Sequence, residues 1–303
     1  MKRFVIKITI LLLIIIAADY LIGCGMSYIV RNIKVGGQGR DNYIANEAKD
    51  DVLVFGSSRA VHHYNTPMLE DSLGMTAYNC GDDGAGIILS YARLLMIKER
   101  HTPHIIIQDI CAEYDILKGD NHKYLGWLRY HYDKDVIRPV FISVDETEKY
   151  KMMSQLYRYN SKFLQNIFVY FTGRSYDSGD KGYRPIYDSL DKMKLRAVPQ
   201  GNFLEYDSLK LEYIHRFIEL AKDSRLYFVI SPIWYGMDSM QIQPVKEICE
   251  EKGVPFLDYS NNPKYVHNNQ FFSDGNHLNA KGADEFTKDL MLEIKKKTGD
   301  NEI

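Results

Sequence analysis

Five short apolar segments, each about as long as one buried β-strand, alternate with helical patterns along most of the chain. They lie near residues 52–55, 76–79, 103–110, 226–231 and 255–257, and most are rich in Val, Ile and Leu. Continuous apolar runs are typical of parallel strands covered on both faces by helices. The sequence therefore predicts an α/β fold, a three-layer αβα sandwich around a five-stranded parallel sheet, with the flavodoxin-like order 2-1-3-4-5.

The alternation stops between residues 115 and 202, where the chain is polar and rich in tyrosine. Parts of this stretch have a helical pattern, notably residues 146–171. Because it leaves the sheet after the third strand, we expect one long, mostly helical insertion over the carboxyl ends of the strands. The predicted organisation is a membrane or signal segment at residues 1–30, a linker at residues 31–49, and an α/β domain at residues 50–303 that carries the insertion.

The N-terminal segment is apolar. Two basic residues precede residues 4–22, in which the only charges are Lys7 and Asp19. As a helix, this run just spans a bilayer, with Lys7 reaching toward the head groups. We therefore expect a transmembrane signal anchor in the inner membrane, with few contacts to the α/β domain and the body of the protein in the periplasm or outside the cell.

Processing of this segment is the alternative. Gly23 and Gly25 are small residues at a possible cleavage site for a signal peptide. Residues 21–24 also resemble a bacterial lipoprotein box, although Asp19 argues against that interpretation.

Composition excludes some classes of function. The chain has 38 basic and 40 acidic residues and no basic stripe, so no nucleic-acid partner is expected. No pair among Cys24, Cys80, Cys111 and Cys249 has metal-ligand spacing, and neither a metal nor a cofactor is expected. Cys80 and Cys111 each follow a predicted strand, and they either form a disulfide or remain buried free thiols, of which we favour the thiols.

Two distant stretches offer reactive side chains. Ser58 follows the first strand in Gly56-Ser57-Ser58, and Asp274 precedes His277 by three residues after the last strand. A parallel sheet gathers its site at the carboxyl ends of its strands. A serine nucleophile needs a histidine base, and that histidine needs an acid to hold its tautomer. The sequence thus offers a catalytic triad, whereas a plain strand–turn–helix capped by one of the serines is the alternative.

These motifs resemble those of the SGNH/GDSL hydrolases. The likeness rests on Gly-Ser-Ser at residues 56–58, a glycine turn at residues 80–86 and Asp-Gly-Asn-His at residues 274–277. It extends over residues 52–290, outside the insertion at residues 115–202.

The resemblance implies roles for single residues. Ser58 is then the nucleophile, His277 the base and Asp274 the acid that orients it. The N–H groups of Gly84 and Ser58 are the implied oxyanion donors. Ser57 replaces the aspartate of the family's first block, which the triad does not need.

A second departure concerns the oxyanion hole. The family's third block supplies an asparagine amide, whereas the third strand here ends in Gln108-Asp109-Ile110-Cys111. A carboxylate at Asp109 would repel an oxyanion, and one lost donor typically costs about a hundredfold in rate. The chain is then slow, takes a donor from the insertion or has lost activity.

Other polar residues near these motifs have simpler interpretations. Arg59 either binds an anionic group of the substrate or pairs with a local carboxylate. A surface or helix-packing role is favoured for His62 and His63, because no carboxylate lies at a matching metal-ligand spacing. Asp82 and Asp83 are expected to be turn residues.

The leading hypothesis is an exported, membrane-anchored serine esterase that removes a small acyl group such as acetyl from a carbohydrate. An O-acyltransferase for polysaccharide would use the same triad, with a sugar hydroxyl in place of water. A non-catalytic glycan-binding protein on a degenerate hydrolase scaffold is the alternative from a different class. Most tyrosines are expected to pack in the core or on the surface, and a subset that faces the site would stack on sugar rings, which suits an exported esterase acting on glycans.

Overall fold

A computed structural model describes residues 1–175, 179–190, 195 and 205–298. The chain divides into two compact units. Unit 1 consists of Met1–Glu47 and Asn121–Asp177, and unit 2 consists of Ala48–Asp120 and Ser178–Ile303.

The α-helices of the described residues are, in chain order, α1 (Lys2–Asn32), α2 (Gly36–Asn46), α3 (Ser58–His63), α4 (Thr66–Leu73), α5 (Ile87–Lys98), α6 (Ala112–Asp115), α7 (His122–Leu128), α8 (Arg138–Val144), α9 (Glu148–Lys151), α10 (Gln155–Tyr159), α11 (Phe163–Thr172), α12 (Ser208–Leu220), α13 (Gln243–Lys252) and α14 (Ala280–Thr298). The strands are β1 (Val52–Phe55), β2 (Ala77–Asn79), β3 (Ile105–Asp109), β4 (Arg225–Ile230) and β5 (Phe256–Asp258).

The five strands of unit 2 form one parallel sheet in the order β2-β1-β3-β4-β5. The predicted fold class and strand order are therefore confirmed. Val54 and Ile107 face a core that includes Phe286 of α14, whereas Phe55 packs its ring 5.7 Å from that of Phe217 on α12. Alternate side chains of each strand thus serve the two helical layers, which explains why the strands are apolar without interruption.

The predicted linker differs from the structure, because α2 occupies most of it. Asn42 donates from Nδ2 to the carbonyls of Val30 at 2.7 Å and Ile33 at 2.9 Å, and Ile44 is fully buried. A Cβ on Gly39 would lie 2.3 Å from the carbonyl carbon of Lys34. Gly39, within the predicted linker, therefore permits a close approach of backbone to backbone.

The predicted insertion divides between the units. Its helices α7 to α11 belong to unit 1, whereas residues 179–190 belong to unit 2. In unit 2, the N–H of Arg184 donates to the carbonyl of Val61 at 3.0 Å, beside the motif that contains Ser58. The helical pattern at residues 146–171 forms three shorter helices. Residues 176–178, 191–194 and 196–204 lie outside the described residues.

Helix α1 is the one helix of the described residues that is long and apolar enough to span a membrane. It extends to Asn32, beyond the predicted end at residue 22. The apolar side chains of its first part are exposed, and burial begins with Gly23, Met26 and Val30, which share one face. The four cysteines are free thiols, so no disulfide joins Cys80 and Cys111.

Candidate active site

The structure brings Ser58, His277 and Asp274 together in unit 2. The Ser58 Oγ lies 2.8 Å from His277 Nε2, and His277 Nδ1 lies 2.9 and 3.1 Å from the two oxygens of Asp274. An ionised carboxylate only accepts hydrogen bonds, so the ring proton resides on Nδ1. His277 Nε2 is then free to accept the hydroxyl proton of Ser58, which is the arrangement a general base requires.

Asp274 is held as an anion by several donors. Its Oδ1 accepts the backbone N–H groups of Asn276 at 2.8 Å and His277 at 2.9 Å, in addition to the ring of His277. Burial acts to raise the pKa of Asp274, but the hydrogen bonds and charge of His277 outweigh it, and the pKa lies below its usual value. Asp274 therefore remains ionised and orients the imidazole through neutral pH.

Ser58, the candidate nucleophile, follows a tight turn between β1 and α3. Gly56 has φ +141°, and a Cβ there would lie 2.7 Å from the carbonyl oxygen of Asp109. Ser57 occupies the N-cap position but makes no side-chain cap bond, and Ser58 is the first residue of α3. The capping alternative is therefore not observed, since the Ser58 hydroxyl is directed to His277 instead.

A buried arginine fixes the glycine turn that follows β2. Arg93 donates to the carbonyl of Cys80 at 2.6 Å and to the carboxylate of Asp82 at 2.7 Å. The N–H of Asp82 donates to the carbonyl of Gly56 at 3.1 Å, which ties this turn to the nucleophile turn. Gly84 has φ +69°, and within the described chain its N–H has no acceptor. This N–H is thus available to a ligand, and its role as an oxyanion donor stays a prediction.

Asp109 is fully buried, and its carboxylate accepts hydrogen bonds and pairs with an arginine. Its Oδ2 accepts the hydroxyl of Tyr64 at 2.7 Å and the N–H of Ser231 at 3.1 Å, and its Oδ1 lies 3.4 Å from Arg59 Nε. Arg59 is also buried and donates to the carbonyl of Ile110. Of the two predicted roles for Arg59, pairing with a local carboxylate is the observed one. Burial and the neighbouring Asp109 raise the pKa of Tyr64 well above its usual value.

His63 is a buried neutral ring whose tautomer is fixed by its partners. Its Nε2 accepts the backbone N–H of Leu278 at 3.0 Å, so the proton lies on Nδ1, which donates to Ser231 Oγ at 2.9 Å. Burial, followed by the neighbouring His277, holds the pKa of His63 well below its usual value. The predicted packing role understates this residue, because it holds the backbone directly after the candidate base.

A continuous buried network therefore joins the two halves of the triad. It begins at Arg59, which follows Ser58 in the sequence, and passes through Asp109 and Ser231. It continues through His63 to Leu278, which follows His277. We call these five residues the buried network. Because the network spans three strand ends, it fixes the separation of two segments that are more than two hundred positions apart in sequence.

His62 lines the same region from α3. Its Nδ1 donates to the carbonyl of Arg184 at 2.6 Å, and its ring centre lies 5.6 Å from that of His277. Asp83 approaches His62 Nε2 at 3.4 Å and pairs with the Arg184 guanidinium at 2.7 Å. Burial opposes ionisation of Asp83, but these two partners outweigh it and hold its pKa well below the usual range. The turn role predicted for Asp83 is thus extended by an ion pair.

The described residues contain one group of side chains with metal-ligand proximity, formed by His122, Asp145 and Glu148 in unit 1. The ammonium of Lys151 lies 3.1 Å from Asp145 and 2.8 Å from Glu148. The ammonium of Lys151 therefore already offsets one of the two negative charges of this group.

Two aromatic residues beside the candidate triad were not predicted from the sequence to belong to the site. Trp234 and Tyr235 follow the carboxyl end of β4, and the backbone N–H of Trp234 donates to the backbone carbonyl of Gly275 at 3.1 Å. The Tyr235 ring lies against Gly275, where a Cβ would meet it at 2.7 Å. The rule that placed the triad at strand ends applies equally to these residues.

No protein-family model matches the chain, and a search of curated proteins gives no significant match. Solved structures show a distant likeness. A provisionally named acylhydrolase from Bacteroides fragilis is 12% identical with a TM-score of 0.41, and the alignment covers 86% of this chain and 97% of that one. A family two carbohydrate esterase from Clostridium thermocellum, solved with cellohexaose, is 9% identical with a TM-score of 0.40, covering 82% and 64%.

An acetyl xylan esterase from the rumen bacterium Butyrivibrio proteoclasticus is 10% identical with a TM-score of 0.36, covering 83% and 65% of the two chains. These similarities are weak in both sequence and geometry. The assignment of function therefore rests on the residues of this chain.

Proposed function

We propose that this protein is a serine esterase that removes a small acyl group from a carbohydrate. The observation that carries the proposal is the 2.8 Å contact between Ser58 Oγ and His277 Nε2, with Asp274 holding the opposite side of the ring. A serine bonded to a neutral histidine of fixed tautomer is an activated nucleophile.

The reaction proceeds through an acyl-enzyme. Ser58 Oγ attacks the ester carbonyl while His277 Nε2 takes its proton, and the same proton passes to the leaving sugar oxygen as the ester bond breaks. A water molecule then gives a proton to His277 Nε2 and attacks the acyl carbon. As the bond between Ser58 Oγ and the acyl carbon breaks, His277 returns that proton to Ser58 Oγ and the carboxylic acid is released. The N–H groups of Ser58 and Gly84 stabilise the developing oxyanion.

The half-buried rings of Trp234 and Tyr235 support a carbohydrate as the leaving group. Both lie beside the loop that carries Asp274 and His277, where a flat apolar face and a polar edge suit a sugar ring. Helix α1 supports attachment to the inner membrane, with the catalytic unit in the periplasm or outside the cell.

A fluorophosphonate probe tests the chemistry, because it reacts only with an activated serine. We expect the full-length protein in detergent to be labelled and to release acetate from acetylated xylan. Both signals should disappear in Ser58→Ala and persist in Ser72→Ala, a matched change on α4. Absence of labelling in the wild-type protein would favour the non-catalytic glycan-binding alternative. Labelling without acetate release, joined to transfer of acetyl to an added oligosaccharide, would favour the acyltransferase.

A further inference from the structure

The single acidic residue in the apolar run of α1, Asp19, accepts several hydrogen bonds. The carboxylate of Asp19 accepts hydrogen bonds from Ser154 Oγ and from the backbone N–H groups of Gln155 and Leu156, each at 2.8 Å. It therefore caps the N-terminus of α10 from another helix. The loop that precedes α10 is fixed at the level of residue 19 along α1.

Beyond this level, α1 packs as an ordinary helix of unit 1. A Cβ on Gly23 would lie 2.2 Å from the Cβ of Gln155, so only glycine permits this approach of α10. Farther along the same face, Met26 and Val30 form a small buried cluster with tyrosines of unit 1. A cleavage site at Gly23 or Gly25 would thus lie in the middle of a packed helix.

The apolar part that precedes Asp19 is short for a membrane span. Asp19 lies 16 positions beyond Arg3, which corresponds to a rise of about 24 Å along the helix, whereas the hydrocarbon core is about 30 Å thick. With Arg3 at one edge of the core, Asp19 therefore lies about 6 Å inside the opposite edge. A carboxylate is tolerated at such a depth when polar donors cover it, and three donors do so here.

Exposed apolar side chains occur at this same level. Met153 is 75% exposed and precedes the residues that donate to Asp19, and Leu156, whose backbone N–H is one of those donors, has a side chain that is 44% exposed. We propose that residues 153–156, which we name the collar, insert into the lipid at the outer edge of the bilayer, and that α1 is retained on the mature protein. This inference rests on the proposed anchoring by α1, and the partner it names is the acyl-chain boundary of the bilayer.

Depth-dependent quenching tests the collar in the full-length protein. Met153→Cys and Leu156→Cys are made separately in a Cys24→Ser background and labelled with a fluorophore. The unmodified background protein corrects for labelling at Cys111. Each protein is placed in phosphatidylethanolamine–phosphatidylglycerol vesicles that carry a quencher at a shallow acyl position.

The control is Asp135→Cys, whose side chain is 89% exposed in the same unit. Its neighbour Asp133 pairs with Arg31, which is twelve residues beyond Asp19 and thus about 18 Å farther along α1. We expect quenching at positions 153 and 156 to exceed that at position 135 by about twofold or more, since interfacial groups lie about 5–10 Å inside the boundary. Equal quenching at the three positions would overturn the proposal.

Two further measurements separate the parts of the proposal. Asp19→Ala should reduce quenching at position 153 to the control level, because the collar loses its attachment. The intact mass of protein extracted from membranes should include α1, and a mass that begins after Gly23 or Gly25 would refute its retention. Neither readout uses esterase activity. Fluorophosphonate labelling without quenching at positions 153 and 156 would therefore support the proposed chemistry and refute only the insertion of the collar.

Discussion

The two units are stabilised by different means. Unit 2 buries a large apolar cluster that combines alternate residues of the sheet with α4 and α14. In unit 1, Met26 and Val30 of α1 form a buried apolar cluster with Tyr130 and Tyr159, and further side chains such as Phe141 are also buried. Polar contacts also join α1 to the rest of unit 1, including the bonds to Asp19 and the Arg31–Asp133 ion pair. The comparison indicates that unit 2 packs around its sheet, whereas α1 is part of the core of unit 1.

The polar groups of the two units differ in the same way. The Arg59–Asp109 pair of unit 2 is buried, with side-chain exposures of 4% and 0%, and it belongs to the buried network. The Arg31–Asp133 pair of unit 1 is exposed to solvent at 58% and 42%. Exposed pairs contribute about 0–1 kcal/mol, whereas breaking a buried pair costs about 3–5 kcal/mol. Loss of the Arg59–Asp109 pair should therefore cost more than loss of the Arg31–Asp133 pair.

The largest expected effect tests whether unit 2 carries the chemistry. Asp274→Asn keeps the shape of the side chain but favours the wrong tautomer of His277, and kcat should fall by about 10⁴-fold. Steady-state hydrolysis of p-nitrophenyl acetate measures the change. Glu247→Gln, an exposed carboxylate change in the same unit, should leave kcat within about twofold. Similar kcat values for Asp274→Asn and wild type would remove Asp274 from the mechanism.

The second prediction tests the stability attributed to the buried network. Asp109→Asn leaves Arg59 buried without its counter-charge, so the free energy of unfolding should fall by about 3–5 kcal/mol. Asp223→Asn breaks an exposed ion pair with Lys98 and should cost at most about 1 kcal/mol. Denaturant unfolding followed by circular dichroism compares the two variants. Equal destabilisation would show that burial does not distinguish these pairs.

The third prediction concerns the dependence of unit 1 on α1. Gly23→Val forces side-chain atoms into Gln155, and overpacking of this kind costs about 1–3 kcal/mol. Hydrogen exchange in detergent should therefore accelerate in α10 and not in the strands of unit 2. Gly25→Val is the matched control, because a Cβ there has no heavy atom within 4 Å. Unchanged exchange in α10 of Gly23→Val would contradict the packing of α1 within unit 1.

The smallest expected effect is a pH dependence of unit 2. His63 remains neutral in the folded state, whereas the unfolded chain takes a proton below about pH 6.5, so stability falls by about 1.4 kcal/mol for each pH unit below that value. Asp115 acts in the opposite direction. Burial raises its pKa to about 7, so its contribution is present at low pH and declines as pH rises from 3.8 toward 7.

The contribution of His63 is therefore obtained as a difference between proteins. The slope of unfolding free energy against pH, measured from pH 6.5 downward, should be smaller in His63→Gln than in wild type. His104→Gln changes an exposed histidine of the same unit and should keep the wild-type slope. Parallel slopes for wild type and His63→Gln would show that the ring is not held neutral in the folded state.

Much of unit 2 and little of unit 1 could be predicted from the sequence. The strands were found because complete burial on both faces leaves a continuous apolar run, as in Val52–Phe55. The triad residues were found because each follows a strand end and has a distinctive side chain. Helix α2 was missed because the glycines of residues 36–39 indicate flexibility unless a packing partner is known. The partners of Asp19 were missed because they lie some 135 positions away in sequence.

The sequence by itself determined the α/β class, the apolar helix and the identity of the candidate triad, whereas the strand order was a choice that the structure confirmed. Each of these depends on local pattern and on general rules for parallel sheets. Only the tertiary structure decided that Asp109 and His63 support the site, that Arg59 is not available to a substrate, and that the insertion divides between the units. The physical reason is that the role of a polar side chain depends on its partners and burial, and the folded chain brings those partners from distant positions.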